Sequence, residues 1–305
     1  MRTLVIGDIH GGIRALHQIL ERAKVGLNDK LIFLGDYVDG WSQSPEVIDL
    51  LISMKKSHNI ICIRGNHDDL LLEWLKNGTD NPQWFEHGGE ATVTAYRKRD
   101  IKTLAAHINF LESLEDYHLD DHNRLFIHAG FTNMNGVNFE YFPKLFYWDR
   151  TLWETALALD KNMKITDVAY PKRLTLYNEI FIGHTPVSRI GKTIPVHFSG
   201  VWNVDTGAAF KGKLKVVCSG FSTISFFEQE KTKMPINRKI NRFIINLVLL
   251  INEVKLSILH ENFIETQNGI FRTRHTNSKK KRGLTRVNKV RSKGFEQIFF
   301  VQSSC

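Results

Sequence analysis

Two carboxylates in one short loop, Asp36 and Asp39, have the spacing of a cation-binding site. They follow the apolar run Leu31 to Leu34, which is typical of a buried strand, and a glycine lies at each end of the loop. A carboxylate at the end of a strand can bind a hard divalent cation, and a second one close by can orient a neighbouring histidine. The stretch therefore predicts part of a metal site.

Side chains with ligand chemistry follow four more strand-like runs. Asp8 and His10, for example, come directly after Leu4 to Ile6, and they alternate so that both leave the strand end on one side. Carboxylate, imidazole and amide groups suit two borderline or hard cations rather than a thiolate site. Two cations that share a carboxylate would lie about 3.5–4 Å apart. The six ligand-type residues are Asp8, His10, Asp36, Asn66, His128 and His184.

The elements that would position these residues form a strand–helix–strand unit. A helix that begins near Ser44 separates the strand Leu31 to Leu34 from the strand Ile60 to Ile63. Ser44 is predicted to cap this helix, with Pro45 at its first position. Short connections indicate a βαβ unit and a parallel sheet, and ligands of such sheets gather at the carboxyl ends of the strands. We therefore expect an α/β fold with the polar clusters at one edge.

The net charge of +9 on the 305-residue chain is unevenly distributed. Residues 219–305 hold 16 Lys and Arg, six Glu and no Asp, for a charge of +10, whereas residues 1–218 carry a charge of −1. The chemistry-bearing part is therefore close to neutral, and the overall charge gives no reason to expect that it binds nucleic acid. We predict a catalytic domain at residues 1–218 and a basic C-terminal extension at residues 219–305.

The role of this extension stays open among three interpretations. Its basic run, Lys279 to Arg282, fits a solvated and partly disordered segment, or a contact with nucleic acid or an acidic partner. The third interpretation is a non-native end, such as a frameshifted or read-through one. The segment Phe243 to Leu259 predicts a buried or loosely docked helix, because its unbroken apolar stretch is too short to span a membrane.

The N-terminus and the cysteines indicate a cytoplasmic protein. Met1-Arg2-Thr3 leads straight into a strand-like run and does not resemble a signal peptide. No apolar run approaches the roughly 20 residues of a membrane span. The three cysteines, Cys62, Cys218 and Cys305, show neither ligand spacing nor a disulfide framework. We therefore expect a reducing, cytoplasmic location and no membrane partner.

Five blocks of residues resemble the signature blocks of the calcineurin-like metallophosphoesterases. Within that superfamily they are most similar to the serine/threonine phosphoprotein phosphatases of the small bacterial and phage type. The resemblance covers residue 1 to about residue 217, and it implies the layered α/β/β/α sandwich of the family. The blocks are Gly7-Asp8-Ile9-His10-Gly11, Gly35-Asp36-Tyr37-Val38-Asp39, Arg64-Gly65-Asn66-His67-Asp68, His128-Ala129-Gly130 and Gly183-His184.

The resemblance implies a role for each ligand-type residue. Asp8 and His10 would bind a first divalent metal ion, and Asp36 would bridge it to a second ion. Manganese is the first choice for both ions, with iron or zinc as alternatives. The residues that would complete the second site are Asn66, His128 and His184.

The resemblance also implies a reaction. A metal-bridging hydroxide would attack a phosphate monoester of the phosphoserine or phosphothreonine type, on a protein or a small phosphoester, without a covalent phosphoenzyme. His67 would protonate the leaving alkoxide as general acid, and Asp39 would hold it through its other ring nitrogen. The alternative interpretation of His67 is a helix-capping residue.

Phosphate recognition is where the sequence departs from the family. The family's arginine after the Asp39 position is replaced here by Gly40, followed by Trp41. Because a bidentate arginine anchors a phosphoryl group strongly, its absence could weaken substrate binding or change the substrate class. Arg150 resembles the family's second phosphate-contacting arginine, and Asn66 would also contact the substrate phosphate.

This departure keeps two other functions open. Within the enzyme class, the alternative is a nucleotide-directed hydrolase, such as a symmetrical diadenosine tetraphosphatase or a cyclic-nucleotide phosphodiesterase. From a different class, a non-catalytic phosphate- or nucleic-acid-binding module would act through the basic extension. The presence of all six ligand-type residues and of His67 argues against that module.

Overall fold

Two five-stranded sheets form the centre of the structure, a computed structural model that describes residues 2–209, 212–219 and 225–228. The described strands are short, with three to five residues each. In chain order the strands are β1 (Thr3–Ile6), β2 (Lys30–Phe33), β3 (Asn59–Cys62), β4 (Tyr117–Leu119), β5 (Arg124–Ile127), β6 (Glu179–Ile182), β7 (Val196–Phe198), β8 (Val201–Asn203), β9 (Lys215–Ser219) and β10 (Ser225–Glu228).

Helices connect the parallel strands and cover the sheets. The α-helices are α1 (Ile13–Arg22), α2 (Ser44–Met54), α3 (Asn66–Asn77), α4 (Pro82–Trp84), α5 (Glu90–Tyr96), α6 (Ile101–Glu112), α7 (Leu145–Trp148) and α8 (Thr151–Ala158). A π-helical turn, Phe85–Gly89, joins α4 to α5, and 3₁₀ turns lie at Val137–Phe139, Lys172–Thr175 and Val187–Ile190. Among the described helices, none has the length and apolarity that crossing a membrane requires.

Both sheets are mixed. The first has the order β10-β9-β1-β2-β3, in which β1, β2 and β3 run parallel and β9 and β10 run antiparallel to their neighbours. The second has the order β4-β5-β6-β8-β7, in which β5, β6 and β8 run parallel. The carboxyl ends of the parallel strands therefore lie side by side within each sheet, where ligands of α/β folds bind.

The alternation of side chains along the strands divides the core into three apolar layers. In β1, Val5 packs in the cluster between the two sheets, whereas Leu4 and Ile6 pack against the helices of the first sheet. Between the sheets the rings of Phe126 and Phe181 stack with centroids 4.9 Å apart. A third cluster lies between the second sheet and helices α7 and α8. This is the layered α/β/β/α arrangement that the sequence predicts.

The predicted fold class is thus confirmed for the part of the chain that the structure describes. The predicted strands are present, with ends shifted by one or two residues; the run Leu31 to Leu34, for example, forms strand Lys30–Phe33. Strand β10 falls within the predicted extension and pairs with β9. The basic run and the segment Phe243 to Leu259 lie outside the described residues. The division of the chain after residue 218 stays a prediction.

Candidate active site

Loops at the carboxyl ends of five parallel strands bring all six predicted ligand residues together. None of the six exposes more than 8% of its surface to solvent. The site draws on both sheets, so it forms only when the two sheets pack against each other. The loops after β1 and β2 supply Asp8, His10 and Asp36, the first residue of α3 after β3 is Asn66, and the loops after β5 and β6 supply His128 and His184.

One ligand group is centred on His10. Its Nε2 atom lies 3.8 Å from Oδ2 of Asp8 and 3.7 Å from Oδ2 of Asp36, which is too far for a hydrogen bond but leaves room for a shared cation. Its Nδ1 atom lies 3.1 Å from the carbonyl oxygen of Val38. An Nδ1–H that donates to this carbonyl leaves the Nε2 lone pair for the carboxylate side. This is the tautomer that a metal-binding histidine needs.

A second ligand group is centred on His128. Its Nδ1 atom lies 2.7 Å from the carbonyl oxygen of Leu34, which indicates the same tautomer as in His10. Its Nε2 atom lies 3.4 Å from Oδ2 of Asp36 and 3.2 Å from Oδ1 of Asn66. Oδ1 of Asn66 also lies 2.9 Å from Nδ1 of His184. These side chains converge on one point from both sheets.

Asp36 belongs to both groups and connects them. In one group, ligand atoms of Asp36, His10 and His67 all lie within 4.8 Å of one another. In the other, the same limit holds for Asp36, His128 and His184. A carboxylate shared in this way is the arrangement expected of a ligand that bridges two metal ions.

The electrostatics of the site favour positive charge. Burial by itself lowers the pKa of His10, but the carboxylates of Asp8 and Asp36 outweigh burial and raise it to about 10. Asp36 and Asp8 also raise the pKa of His128 to about 9 against the effect of burial. Burial opposes ionisation of Asp36, yet its histidine neighbours hold its pKa well below the ordinary value. Carboxylates that attract protons this strongly also attract cations, so the residues present fit divalent metal ions.

A buried nitrogen without a partner gives a second indication. Nε2 of His184 has no hydrogen-bond partner in the described part of the chain, although it is buried. Burial and the nearby His128 hold the pKa of His184 well below its ordinary value, so its imidazole is neutral. Buried polar atoms are nearly always paired, and a neutral imidazole with an unused nitrogen is a natural metal ligand.

Close backbone approach and strain also mark this site. A Cβ atom at Gly65 would overlap Oδ1 of Asp36, and one at Gly183 would overlap Oδ1 of Asp8. Asp36 itself has a φ of 52°, in the left-handed region, and so do His10 at 51° and other residues of the site. For a non-glycine residue this conformation costs about 1–2 kcal/mol. Strain of this kind persists where function requires it.

His67 lies beside the ligand groups and has a carboxylate partner. Its Nδ1 atom is 2.5 Å from Oδ2 of Asp39, and the indole N–H of Trp84 donates to the same oxygen at 2.5 Å. Burial lowers the pKa of His67, but the charges of Asp36 and Asp39 outweigh it and raise the pKa. The rings of His67 and His10 meet edge to face with centroids 5.0 Å apart. A protonated imidazole held in this position can donate a proton to a leaving oxygen.

Comparison with known families agrees with the metal-binding character of the site. The model of the family described as calcineurin-like phosphoesterase matches residues 1–220. The chain belongs to the calcineurin-like phosphoesterase family. The matched range contains every residue of the site, so the protein is a hydrolase of a family that uses a dinuclear metal centre.

Relatives within the family differ in the activities that their names state. The chain is 29% identical over 237 residues to an asymmetrical bis(5′-nucleosyl)-tetraphosphatase, PrpE, of Anoxybacillus flavithermus, covering 69% of this chain and 87% of that protein. It is 24% identical over 226 residues to serine/threonine-protein phosphatase 1 of Salmonella typhimurium, covering 69% and 88%. A solved protein serine/threonine phosphatase structure from Saccharomyces cerevisiae shares the fold, with a TM-score of 0.54, 16% identity and coverage of 77% and 82%.

In this phosphoesterase, a side chain of helix α5 binds the backbone N–H of Asp39. The N–H of Asp39 lies 3.0 Å from the hydroxyl oxygen of Ser44 and 2.9 Å from that of Thr92. The prediction that Ser44 caps helix α2 is wrong, because Ser44 is the first helical residue and Gln43 occupies the N-cap position. Its hydroxyl contacts Asp39 and Thr92 instead. Thr92 was not predicted as a site residue; the pair Gly88-Gly89 shortly before it is the signal that could have identified this segment.

Two buried carboxylates that sequence reasoning did not assign also support the phosphoesterase site. Asp205 follows β8, and its Oδ1 atom accepts the backbone N–H of Gly207 at 2.8 Å. Asp68, in the first turn of α3, fixes the loop that carries Asp36. Each of these two residues stands in a polar cluster after a strand, and this position was the signal that could have identified it. Asp68 accepts the backbone N–H groups of Asp36, Tyr37 and Gly65 at 2.8–2.9 Å.

Arg150, the predicted phosphate contact, lies on the His184 side of the site. Its Nη1 atom donates to the hydroxyl of Thr185 at 3.1 Å. Burial is the largest effect on the pKa of Arg150 and lowers it, and the charge of Arg189 lowers it further, whereas Asp36 opposes both. Arg150 is therefore close enough to the centre for the charge of Asp36 to affect its pKa.

The position of the missing arginine is part of a closely packed turn. Gly40 has a φ of 75°, and its N–H lies 3.4 Å from the carbonyl oxygen of Gly88 in the π-helical turn. A Cβ atom at Gly88 would lie only 2.6 Å from the nitrogen of Gly40. The indole N–H of Trp41 donates to the carbonyl of Ala208 at 2.8 Å. The left-handed conformation favours glycine at position 40.

Proposed function

We propose that the protein is a di-metal phosphomonoesterase that acts on phosphoserine- or phosphothreonine-type esters. The observation that carries this proposal is the carboxylate of Asp36, which belongs to two groups of metal-ligating side chains with the His67–Asp39 pair beside it. Manganese is the proposed metal, with iron or zinc as alternatives, because the donors are carboxylate, imidazole and amide groups. The proposed ligands are Asp8, His10 and Asp36 for one ion, and Asp36, Asn66, His128 and His184 for the other.

The protein's own residues would manage the proton that the reaction requires. Bound divalent ions supply Lewis-acid chemistry and an activated water. Water adds across the P–O bond, and the leaving oxygen takes a proton from His67. With its Nδ1–H donated to Asp39, His67 has its Nε2–H left for this transfer. Trp84 donates to the same carboxylate oxygen and so helps to fix its orientation.

Arg150 and Asn66 are the proposed contacts of the substrate phosphate. Oδ1 of Asn66 faces His128 and His184, so the amide NH₂ group can donate to a phosphoryl oxygen. Arg150 contributes a full positive charge that is partly desolvated and close enough to sense Asp36. A guanidinium in this position is well suited to a phosphate because its geometry matches two oxygens at once.

The variant Asp36→Asn tests the proposed centre. Because it removes charge from the ligand that both ions would share, we expect it to abolish turnover of p-nitrophenyl phosphate and of a phosphoserine peptide with saturating Mn²⁺. It should also lower the metal content from two ions per chain, measured by elemental analysis. Asp121→Asn, which changes an exposed carboxylate outside the site, should keep the wild-type rate. A wild-type rate in Asp36→Asn with metal present would show that the mechanism is wrong.

A nucleotide-directed hydrolase is the second candidate, and Gly40 is the observation that favours it. The turn at Gly40 leaves the site without the family's arginine at that position, which changes how a phosphate can be held. The relative named as a bis(5′-nucleosyl)-tetraphosphatase also supports this candidate. Rates measured side by side on a phosphopeptide, an aryl phosphate and a dinucleoside polyphosphate would separate the two functions.

The proposed location is the cytoplasm, with a phosphorylated protein or a small phosphoester as the partner. Cys62 and Cys218 are free thiols, as a reducing compartment would leave them. The division into a catalytic domain at residues 1–218 and a basic extension is likewise a proposal. Limited proteolysis would support this division if it leaves a stable fragment that ends before about residue 232. The compact unit that contains the described strands and helices ends there.

A further inference from the structure

A cavity of about 360 Å³ lies between the second half of helix α3 and the short helix α4. Helix α3 ends at the left-handed Gly78, and the chain then turns back to form the opposite wall. Oδ1 of Asn81 accepts the backbone N–H of Trp84 at 3.2 Å, which fixes the start of α4. The volume is that of a small-ligand site. The wall from α3 is one face of the helix, with the spacing i, i+3, i+4 and i+7, and consists of Leu70, Glu73, Trp74 and Asn77.

Two indole rings border the cavity, and hydrogen bonds fix both of them. The N–H of Trp74 donates to Oδ1 of Asp80 at 3.1 Å, and the N–H of Trp84 donates to Oδ2 of Asp39. The ring centroids lie 6.5 Å apart, and the ring planes are tilted by 54°. Because both N–H groups are already used, the rings can offer a ligand only their π-faces and apolar edges. One side chain, Trp84, separates the cavity from the carboxylate that holds His67.

The cavity carries negative charge. Its charged lining residues are Glu73 and Asp80, and no lysine or arginine lines it in the described part of the chain. Arg97 lies 3.4 Å from Oδ2 of Asp80, but both side chains are more than half exposed, so this ion pair is weak. Glu73 has no hydrogen-bond or ion-pair partner among the described residues. A free carboxylate beside indole faces suits a cation that also carries apolar groups.

We propose that this cavity binds an organic cation, namely a guanidinium or ammonium group on a short apolar chain. The head group would pair with the carboxylate of Glu73 and lie against the ring of Trp74, and the apolar chain would pack on Leu70. An anion would instead meet the uncompensated charge of Glu73. A metal ion does not fit, because the described residues form no group of three metal ligands here. The same chemistry is present in a free amine and in an arginine or lysine side chain of a protein substrate.

Calorimetry on the Mn²⁺-loaded protein tests this site without turnover. The probes are butylguanidinium and the neutral butylurea, which has nearly the same shape. We expect butylguanidinium to bind at least about tenfold more tightly, because only it can form a charge-assisted contact. Glu73→Gln should weaken butylguanidinium by at least about tenfold and leave butylurea unchanged. Glu21→Gln, which removes an exposed carboxylate from α1, should change neither value by more than about twofold.

The variant Trp74→Leu tests the contribution of the indole ring. We expect it to weaken butylguanidinium by about two- to fivefold, whereas Trp74→Phe should keep part of this affinity because it keeps an aromatic face. Urea unfolding checks that both variants fold. Equal binding of butylguanidinium and butylurea to wild type would overturn the inference. Binding of butylguanidinium that Glu73→Gln leaves unchanged would overturn it as well.

Peptide kinetics distinguish the two sources of the cation. The KM values of a phosphoserine peptide that contains arginine and of the same peptide with neutral citrulline are compared. A KM at least about fivefold lower for the arginine peptide, in wild type but not in Glu73→Gln, would assign the cavity to a protein substrate. Equal KM values with intact butylguanidinium binding would assign it to a free amine. Because calorimetry needs no turnover, failure of the proposed hydrolysis would leave the binding test valid.

Discussion

The Nδ1 atom of His67 lies 2.5 Å from Oδ2 of Asp39, and this contact joins helix α3 to the loop after β2. The same oxygen accepts the indole N–H of Trp84, so one carboxylate oxygen fixes two side chains from different helices. Asp39 is fully buried, which strengthens its interaction with a charged imidazole. The pair leaves Nε2 as the one ring nitrogen of His67 that is available for proton transfer.

The first prediction is that His67→Asn affects esters according to their leaving groups. An alkoxide needs a proton to leave, so kcat for a phosphoserine peptide should fall by about 10²–10⁴-fold. The p-nitrophenolate group leaves readily without a proton, and its rate should fall far less. Asp39→Asn should give the same pattern with smaller losses, because it weakens the hold on the imidazole without removing it. Steady-state rates on the two esters measure this directly.

His17→Asn is the matched control, because His17 is an exposed histidine outside the site. It should leave both rates unchanged. Equal losses on the two esters in His67→Asn would contradict a role in protonating the leaving group. They would indicate that His67 supports the metal ligands instead, as its membership of the His10–Asp36 group would allow.

The second prediction concerns the glycine pair that sets the turn after Asp39. Gly40 has room for a Cβ atom, with the nearest atom 3.4 Å away, so Gly40→Ala should cost only the left-handed strain of about 1–2 kcal/mol. Gly88→Ala should cost more and also lower kcat, because its Cβ would lie 2.6 Å from the nitrogen of Gly40. Urea unfolding measures the free energies of unfolding.

Gly78→Ala provides the reference for this series. Gly78 has a φ of 66° at the end of α3, and a Cβ atom there would meet nothing within 4 Å, so the variant reports strain alone. Gly40→Ala should match it within about 0.5 kcal/mol. If Gly88→Ala were no worse than Gly78→Ala, the close contact between the two turns would not matter for stability.

The grouping of the six ligand-type residues in one site could be predicted from the sequence, because each of them directly follows a strand. Apolar runs marked the strands, and parallel strands end side by side, so residues as distant as Asp8 and His184 could be placed together. Asp8 in fact accepts the backbone N–H of His184 at 3.0 Å. No structural contact was needed for that inference, only the position of each residue after its strand.

The residues that position the His67–Asp39 pair could not be predicted in the same way. Trp84 fits a core residue by its type, and only the packing of α4 on the β2 loop places its N–H on Asp39. Ser44 before Pro45 has the local pattern of a helix cap, and the competing contact with Thr92 comes from a helix about 50 residues away. Contacts that depend on how helices dock leave no local signal in one sequence.

The third prediction tests the support of Asp39 by Thr92. Thr92→Val removes the hydroxyl that accepts the Asp39 N–H at 2.9 Å, but Ser44 remains as a second acceptor. We therefore expect a loss of about 1 kcal/mol in the free energy of unfolding. We also expect a fall in kcat for a phosphoserine peptide. Thr92→Ser should preserve both, and Thr94→Val, at an exposed position of the same helix, should be neutral. A stability loss without any change in kcat would limit Thr92 to a structural role.

The fourth prediction concerns a buried histidine away from the metal centre. His107 in α6 lies 2.9 Å from the hydroxyl of Tyr96 through Nδ1 and 2.9 Å from Oδ1 of Asp49 through Nε2. Burial lowers its pKa, Arg99 lowers it further, and Asp49 and Glu46 oppose this shift. The folded state therefore prefers neutral His107. Its contribution to stability is full above the unfolded pKa of about 6.5 and is lost as the pH falls through the lower folded pKa.

Replacing this histidine should therefore flatten the pH dependence of stability on the acid side. His107→Gln loses hydrogen bonds and should cost about 1–3 kcal/mol at neutral pH. The difference in the free energy of unfolding between wild type and the variant should shrink as the pH is lowered from 7 toward 5. Only wild type has the buried imidazole, whose resistance to protonation makes the folded state less stable at lower pH. Urea unfolding at several pH values measures this, with the exposed His17→Gln as control. Curves that stay parallel between pH 7 and pH 5 would show that Asp49 cancels the effect of burial.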